Sequence, residues 1–130
     1  MPAATPAALI DTLVDARNRG DVGAAFACYA TDATIVAQPG QVLRGGDGVR
    51  GVLDYFTSLT PTFEVSGRTI LEAGDIALHH SQWTLRGTDA AGDAVEFTGA
   101  SADVLHRKSD GSWLMAIDNP WGAGILGATE

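Results

Sequence analysis

Ala102-Asp103-Val104-Leu105-His106-Arg107 leads into Lys108-Ser109-Asp110-Gly111-Ser112, and Trp113-Leu114-Met115-Ala116-Ile117-Asp118 leads out. Two runs of strand-forming residues around an Asp-Gly turn signal read as a β-hairpin. Counting outward from the turn, Leu105 meets Ala116 and Asp103 meets Asp118. Two carboxylates opposite each other on one sheet face repel, and desolvation favours protonating one of them, which prepares a general acid beside a general base. The plainer alternative is a solvated sheet edge.

The alternating period of this hairpin extends back to Pro61. Gly74-Asp75 separates Phe63–Ala73 from Ile76–Arg86, and Asp89-Ala90-Ala91-Gly92 separates the latter from Ala94–Arg107. Before Pro61 the period is helical. Thr5-Pro6 caps a first helix carrying Leu9, Leu13 and Ala16 up to Gly20. Asp21 caps a second, short one carrying Ala25, Phe26 and Tyr29 and ending at Thr31-Asp32. Ala33–Ala37 is expected as a short strand closed by Pro39-Gly40. Gly45-Gly46-Asp47 then opens a third helix with Val49, Val52, Leu53 and Phe56 on one face. Helices followed by strands are the α+β signature: three N-terminal helices on one face of a curved antiparallel sheet. The whole chain, 1–130, is expected to be one domain with its core at 5–122 and a mobile Gly-rich tail at 123–130.

Composition narrows the function. The net charge is −8 with a pI near 4.6 and no basic cluster, so neither nucleic acid nor an anionic membrane is an expected partner. No stretch approaches a membrane span, and no basic segment followed by an apolar core opens the chain, so a cytoplasmic protein is expected. Cys28, the only cysteine, reads as a buried structural thiol. His79 and His80 are adjacent on a strand and point to opposite faces, so they cannot share a metal, and no metal site is expected. Gly45-Gly46-Asp47-Gly48 lacks the Lys-Ser/Thr of a phosphate-binding loop and reads as a turn and helix cap.

Propagating the strand pairing across the turns puts His80, Gln82, Ser101, Asp103, Leu105 and Asp118 on one face. His79, Ser81, Trp83, Trp113, Met115 and Ile117 fall on the other. On that count Asp118 and Asp103 share the acid and base roles and His80 assists them. Gln82 and Ser101 lie beside them, Gln38 and Tyr55 line the opening, and Trp121 sits at its mouth. The face with Trp83, Trp113, Met115 and Ile117 is too apolar to leave wet, so a homodimer through it is expected. Asp118→Asn is expected to spare the fold, because it relieves a repulsion without breaking a salt bridge.

Tyr29-Ala30-Thr31-Asp32-Ala33-Thr34, Arg44-Gly45-Gly46-Asp47-Gly48-Val49-Arg50, Asp110-Gly111-Ser112-Trp113 and Ile117-Asp118-Asn119-Pro120 resemble the SnoaL-like and ketosteroid-isomerase-like domains of the nuclear-transport-factor-two superfamily. The resemblance runs in order from Thr5 to Gly122. It implies a cone-shaped, cystatin-like α+β roll enclosing a deep apolar pocket, usually in a dimer. Members include isomerases, polyketide cyclases, epoxide hydrolases and dehydratases. Of the ketosteroid isomerase set, the general base before Pro39 is Gln38 here and the oxyanion-hole tyrosine falls on Leu13. The protonated aspartate matches at Asp103. In limonene-epoxide-hydrolase-like members two aspartates flank an arginine; Asp103 and Asp118 resemble that pair, with Ser101 at the arginine position. The expected function is therefore a cofactor-free acid/base enzyme of the isomerase, cyclase or epoxide-hydrolase type acting on a small apolar molecule. The alternative is a noncatalytic ligand-binding or accessory protein using the same pocket.

Overall fold

The computed structural model describes residues 3–127. Three helices open the chain: α1 (Pro6–Arg19), α2 (Val22–Phe26) and α3 (Gly45–Ser58), the last following the hairpin of β1 (Tyr29–Gln38) and β2 (Gln41–Arg44). Thr5 caps α1 through its hydroxyl, which accepts from the Ala8 N–H. Gly20, at φ 70°, ends that helix in the left-handed conformation. The Asp21 carboxylate caps α2 at once, accepting from the Ala24 N–H, so two helices meet with no loop between them. The chain then runs through β3 (Thr62–Ala73), β4 (Ile76–Thr88), β5 (Ala94–Arg107) and β6 (Trp113–Asp118). A 3-10 helix at Gly122–Gly127 follows. It forms part of the expected mobile tail, whose positions 128–130 lie outside the described residues.

The sheet order is β2-β1-β6-β5-β4-β3. It departs from a purely antiparallel sheet in one place, since β1 runs parallel to β6 with Ile35 beside Asp118. The short strand expected at 33–37 is in fact ten residues long, and Tyr29 is its first residue, having left the helix. Closing β6 between β1 and β5 leaves Met115 and Asp118 buried at the sheet's centre. Against the inner face, Leu9, Ile10, Leu13 and Ala16 of α1 and Val49, Val52 and Leu53 of α3 pack on Ile35, Leu105, Trp113 and Met115. Cys28 is in this core, and burial raises its thiol pKa, which suits the structural role.

Two registers decide which side chains face inward. In the β5–β6 hairpin Leu105 pairs with Met115, one residue short of the expected Ala116. The register then shifts so that Val104 pairs with Ile117, restoring the count just before Asp103 and Asp118. In β4–β5 the Asp89–Asp93 loop, tied by the Asp89 carboxylate to the Ala91 and Asp93 N–H groups, places His79 opposite Asp103 and Ser81 opposite Ser101. A one-residue difference exchanges faces. His79, Ser81 and Trp83 therefore point inward, while His80 and Gln82 point outward and are exposed. Trp113 and Met115 are likewise interior, at 3% and 1% exposure, and cannot form a dimer face. Of the set expected there, only Ile117 is exposed, at 41%.

The turn that follows β6 is held by the Asn119 side chain, which accepts from the Trp121 and Gly122 N–H groups. Gly122 has φ 54°, and a Cβ there would collide with the Ala100 carbonyl oxygen. Gly122→Ala is expected to cost roughly 3 kcal/mol from combined backbone strain and overpacking. The measurement is the urea midpoint, which should fall with the slope unchanged.

Candidate active site

The inner faces of β3, β4, β5 and β6, Ile35 of β1 and one side each of α1 and α3 converge on one pocket, with Tyr29 behind its Asp118. Its walls are apolar, with Ile10, Leu13 and Val14 on one side and Phe56, Phe63, Trp83 and Trp121 on another. The polar floor consists of Arg17, His79, Ser81, Ser101, Asp103 and Asp118. The pocket opens to solvent, and its cavity volume is about 50 Å³.

Arg17 arrives from α1, on the stripe that carries Ile10 and Leu13 at helical spacing. Its guanidinium lies over the Phe63 ring, 5.0 Å from the centroid. Arg17 Nη2 donates to Tyr29 Oη at 3.0 Å and to Asp118 Oδ2 at 3.4 Å. The Tyr29 hydroxyl donates to the same Asp118 oxygen at 2.5 Å. Burial raises the Tyr29 pKa well above the ordinary phenol value, and Asp118 adds to it, so the phenol stays protonated and donates. Burial opposes the Arg17 charge, but the Asp118 carboxylate and the hydrogen bond to Tyr29 outweigh it and the guanidinium stays cationic.

Asp118 is the group most displaced from its ordinary behaviour. Burial first, and the Asp103 charge second, push its pKa up to about 6 against the pull of Arg17 and Tyr29. Asp103 is as deeply buried, yet fully engaged. Its Oδ1 accepts from the Asn119 N–H at 2.9 Å and its Oδ2 lies 2.9 Å from His79 Nδ1. With the proton on Nδ1, His79 carries a lone pair on Nε2. That nitrogen and Arg17 Nε are the two buried side-chain polar atoms with no hydrogen-bond partner among the described residues.

Four of the expected site residues, Asp103, Asp118, Ser101 and Trp121, line this pocket. Ser101 is spent on a hydroxyl pair with Ser81 at 2.8 Å. Trp121 is anchored by its indole N–H to the Val36 carbonyl. His80 and Gln82 do not belong to the pocket. They are on the opposite face, where His80 Nδ1 meets the Ser101 carbonyl. Gln38 and Tyr55 line a separate open groove beside it. Arg17, Tyr29 and His79 were absent from the expected set. Arg17 was readable as a charge on an apolar helical stripe, and Tyr29 and His79 were hidden by a strand start and a register. The arginine missing at Ser101 is thus supplied by α1, and Asp118 does hold a salt bridge. Among the described residues no three His, Cys, Asp or Glu side chains cluster to hold a metal ion, and no helix is long and apolar enough to cross a membrane.

A sequence model of the SnoaL-like domain matches residues 10–114. The chain belongs to the SnoaL-like domain family. No curated protein matches it. Among solved structures this SnoaL-like domain is similar to a ketosteroid isomerase-like protein from Erwinia carotovora atroseptica, at 23% identity over 86% of this chain and 88% of the other, with a TM-score of 0.71. It is also similar to a nuclear-transport-factor-two-like protein with a cystatin-like fold from Novosphingobium aromaticivorans, at 14% identity, 85% and 74% coverage and a TM-score of 0.68. A third is SalBIII, an epoxide hydrolase/cyclase-like enzyme in pyran ring formation, at 18% identity, 85% and 84% coverage and a TM-score of 0.68. At these identities the likenesses establish the SnoaL-like domain's fold and leave its chemistry to the residues in the pocket.

Proposed function

We propose that this SnoaL-like domain is a cofactor-free general acid/base enzyme acting on a small, neutral, apolar substrate by isomerisation, hydration or cyclisation. The observation that carries the reading is the His79 Nε2: a buried nitrogen with no partner among the described residues, in a pocket wall, on a ring whose other nitrogen is fixed by a buried carboxylate. An unsatisfied buried polar group costs about 1–3 kcal/mol. Such groups are retained where a ligand or a reaction uses them.

In this reading His79 Nε2 takes a proton from the substrate or from water, and Asp103 stabilises the imidazolium that forms. Asp118 gives a proton to the developing oxyanion. Arg17 and Tyr29 both donate to Asp118 Oδ2, so the acidic proton belongs on Oδ1. The same two groups add positive potential where negative charge develops in a dry pocket.

The test uses three neutral probes, a short-chain epoxide, a β-hydroxyketone and a β,γ-unsaturated ketone, assayed from pH 4.5 to 9. Turnover of one of them is expected, with kcat falling as pH rises through about 6, because Asp118 must be protonated to act as the acid. Asp118→Asn should remove that limb. A limb that rises through the same pH and disappears in Asp118→Asn would make Asp118 the base. Binding of the probes with no turnover across the range would favour a noncatalytic binding protein.

A further inference from the structure

The pocket and the groove beside it have very different capacities. A site that buries most of a ligand's surface needs several hundred Å³, and the cavity of about 50 Å³ falls far short. The groove on the side of the β1–β2 hairpin and α3 offers about 510 Å³. The two share Val52, Phe56 and Trp121 as walls. The aromatic surface is continuous across the divide, with Phe97 edge-on to Phe56 at 5.8 Å on the groove side and Trp121 against Trp83 at 5.4 Å on the pocket side. Of the dividing side chains, Trp121 is anchored by its indole N–H, whereas Phe56 has no polar atom to tie it. The groove's polar heads are the Gln38 and Gln41 amides and the Tyr55 hydroxyl, and among the described residues no Lys, Arg, Asp or Glu lines it.

Resting on the acid/base reading of the pocket, we propose that cavity and groove are the head and tail subsites for one elongated neutral substrate, with Phe56 as the divider that sets specificity. Only the reacting end, a short carbonyl- or hydroxyl-bearing terminus, enters the cavity. The body of the molecule lies in the groove, its amide, ester or hydroxyl groups on Gln38 and Gln41. An anionic tail meets no cation there among the described residues and adds its own repulsion to a chain of net charge −8.

Three methyl ketones serve as probes: 2-butanone as head alone, N-hexyl-4-oxopentanamide as head with a neutral tail, and 4-oxopentanoate as head with an anionic end. Binding is followed by NMR titration of the His79 ring and Trp121 indole resonances in the intact chain. The amide is expected to bind at least 30-fold more tightly than 2-butanone, and 4-oxopentanoate no more tightly than 2-butanone. In Gln38→Ala/Gln41→Ala the advantage of the amide should fall at least fivefold with 2-butanone unaffected. Phe56→Ala should raise the affinity for bulkier heads such as acetophenone. If 2-butanone moves the His79 resonances but the amide binds no better, or keeps its whole advantage in the double variant, the two-subsite proposal is overturned and the pocket reading stands. If no probe moves His79, both fall.

Discussion

His79→Gln is expected to lower turnover by about 10²- to 10⁴-fold, the range for loss of a positioned general base. Glutamine is close to isosteric and its amide can still donate to Asp103, but it has no basic nitrogen. Asp103→Asn tests the other half of the pair. Losing the carboxylate frees the imidazole to place its proton on Nε2, and in the serine protease triad that wrong tautomer costs about 10⁴. The two single losses should therefore not add: the double variant should be about as slow as the worse single one, since both remove one function. The measurement is kcat on whichever neutral probe is turned over, with the downfield Nδ1–H proton resonance of His79 as an independent reporter of the pair. A His79→Gln variant that keeps wild-type turnover would remove His79 from the chemistry and return the base to one of the carboxylates.

How far the sequence leads to this pair is instructive. The Asp110-Gly111 hairpin, the change of period at Pro61, the two caps at Thr5 and Asp21 and the glycine run from Gly45, which forms the first turn of α3 and not its cap, are local signals, and local signals place most of the elements. The Asp103–Asp118 juxtaposition also follows from counting, although the ladder reaches it through a register shift between Val104 and Leu105. The histidine does not follow. His79 and His80 differ by one residue, and a five-residue loop at Asp89–Asp93 can close with either register, so one hydrogen-bonded turn decides which imidazole meets Asp103. That same slip carries Trp83 from an expected dimer face to the pocket wall. Tyr29 was lost because apolar spacing around Ala25 and Phe26 continues into a strand without a stop signal. The β1–β6 pairing, which brings Tyr29 to Asp118, joins segments some eighty residues apart and leaves no local trace. Arg17 is different. An arginine on the stripe of Ile10 and Leu13 was visible, and its burial is what gives the site its cation.

Asp118→Asn is expected to change the pH dependence of stability by about 3 kcal/mol, because folding pushes the Asp118 pKa up to about 6. The folded-state pKa, about 6, lies above the ordinary 3.8, so the native state holds this proton more tightly than the unfolded chain does. The stabilisation is fully present below about pH 4 and is lost as pH rises through 6. Above that, the native protein carries a buried carboxylate whose charge costs more than its partners return. The Arg17 salt bridge does not reverse the sign, because its pull on Asp118 is already included in the raised pKa and is outweighed by burial and by Asp103. Asparagine keeps an oxygen to accept from Tyr29 and stands in for the protonated form. The variant should thus match the wild type at pH 4 and be about 3 kcal/mol more stable at pH 7.5, with the gap opening between pH 4 and 6. Urea unfolding of both proteins across that range gives the difference directly, and subtraction cancels the surface carboxylates, such as Asp21 and Asp110, whose lowered pKa values work in the opposite direction. A variant less stable than the wild type at pH 7.5 would mean that the ion pair with Arg17 outweighs burial. The site would then hold two fixed carboxylates with no proton to give.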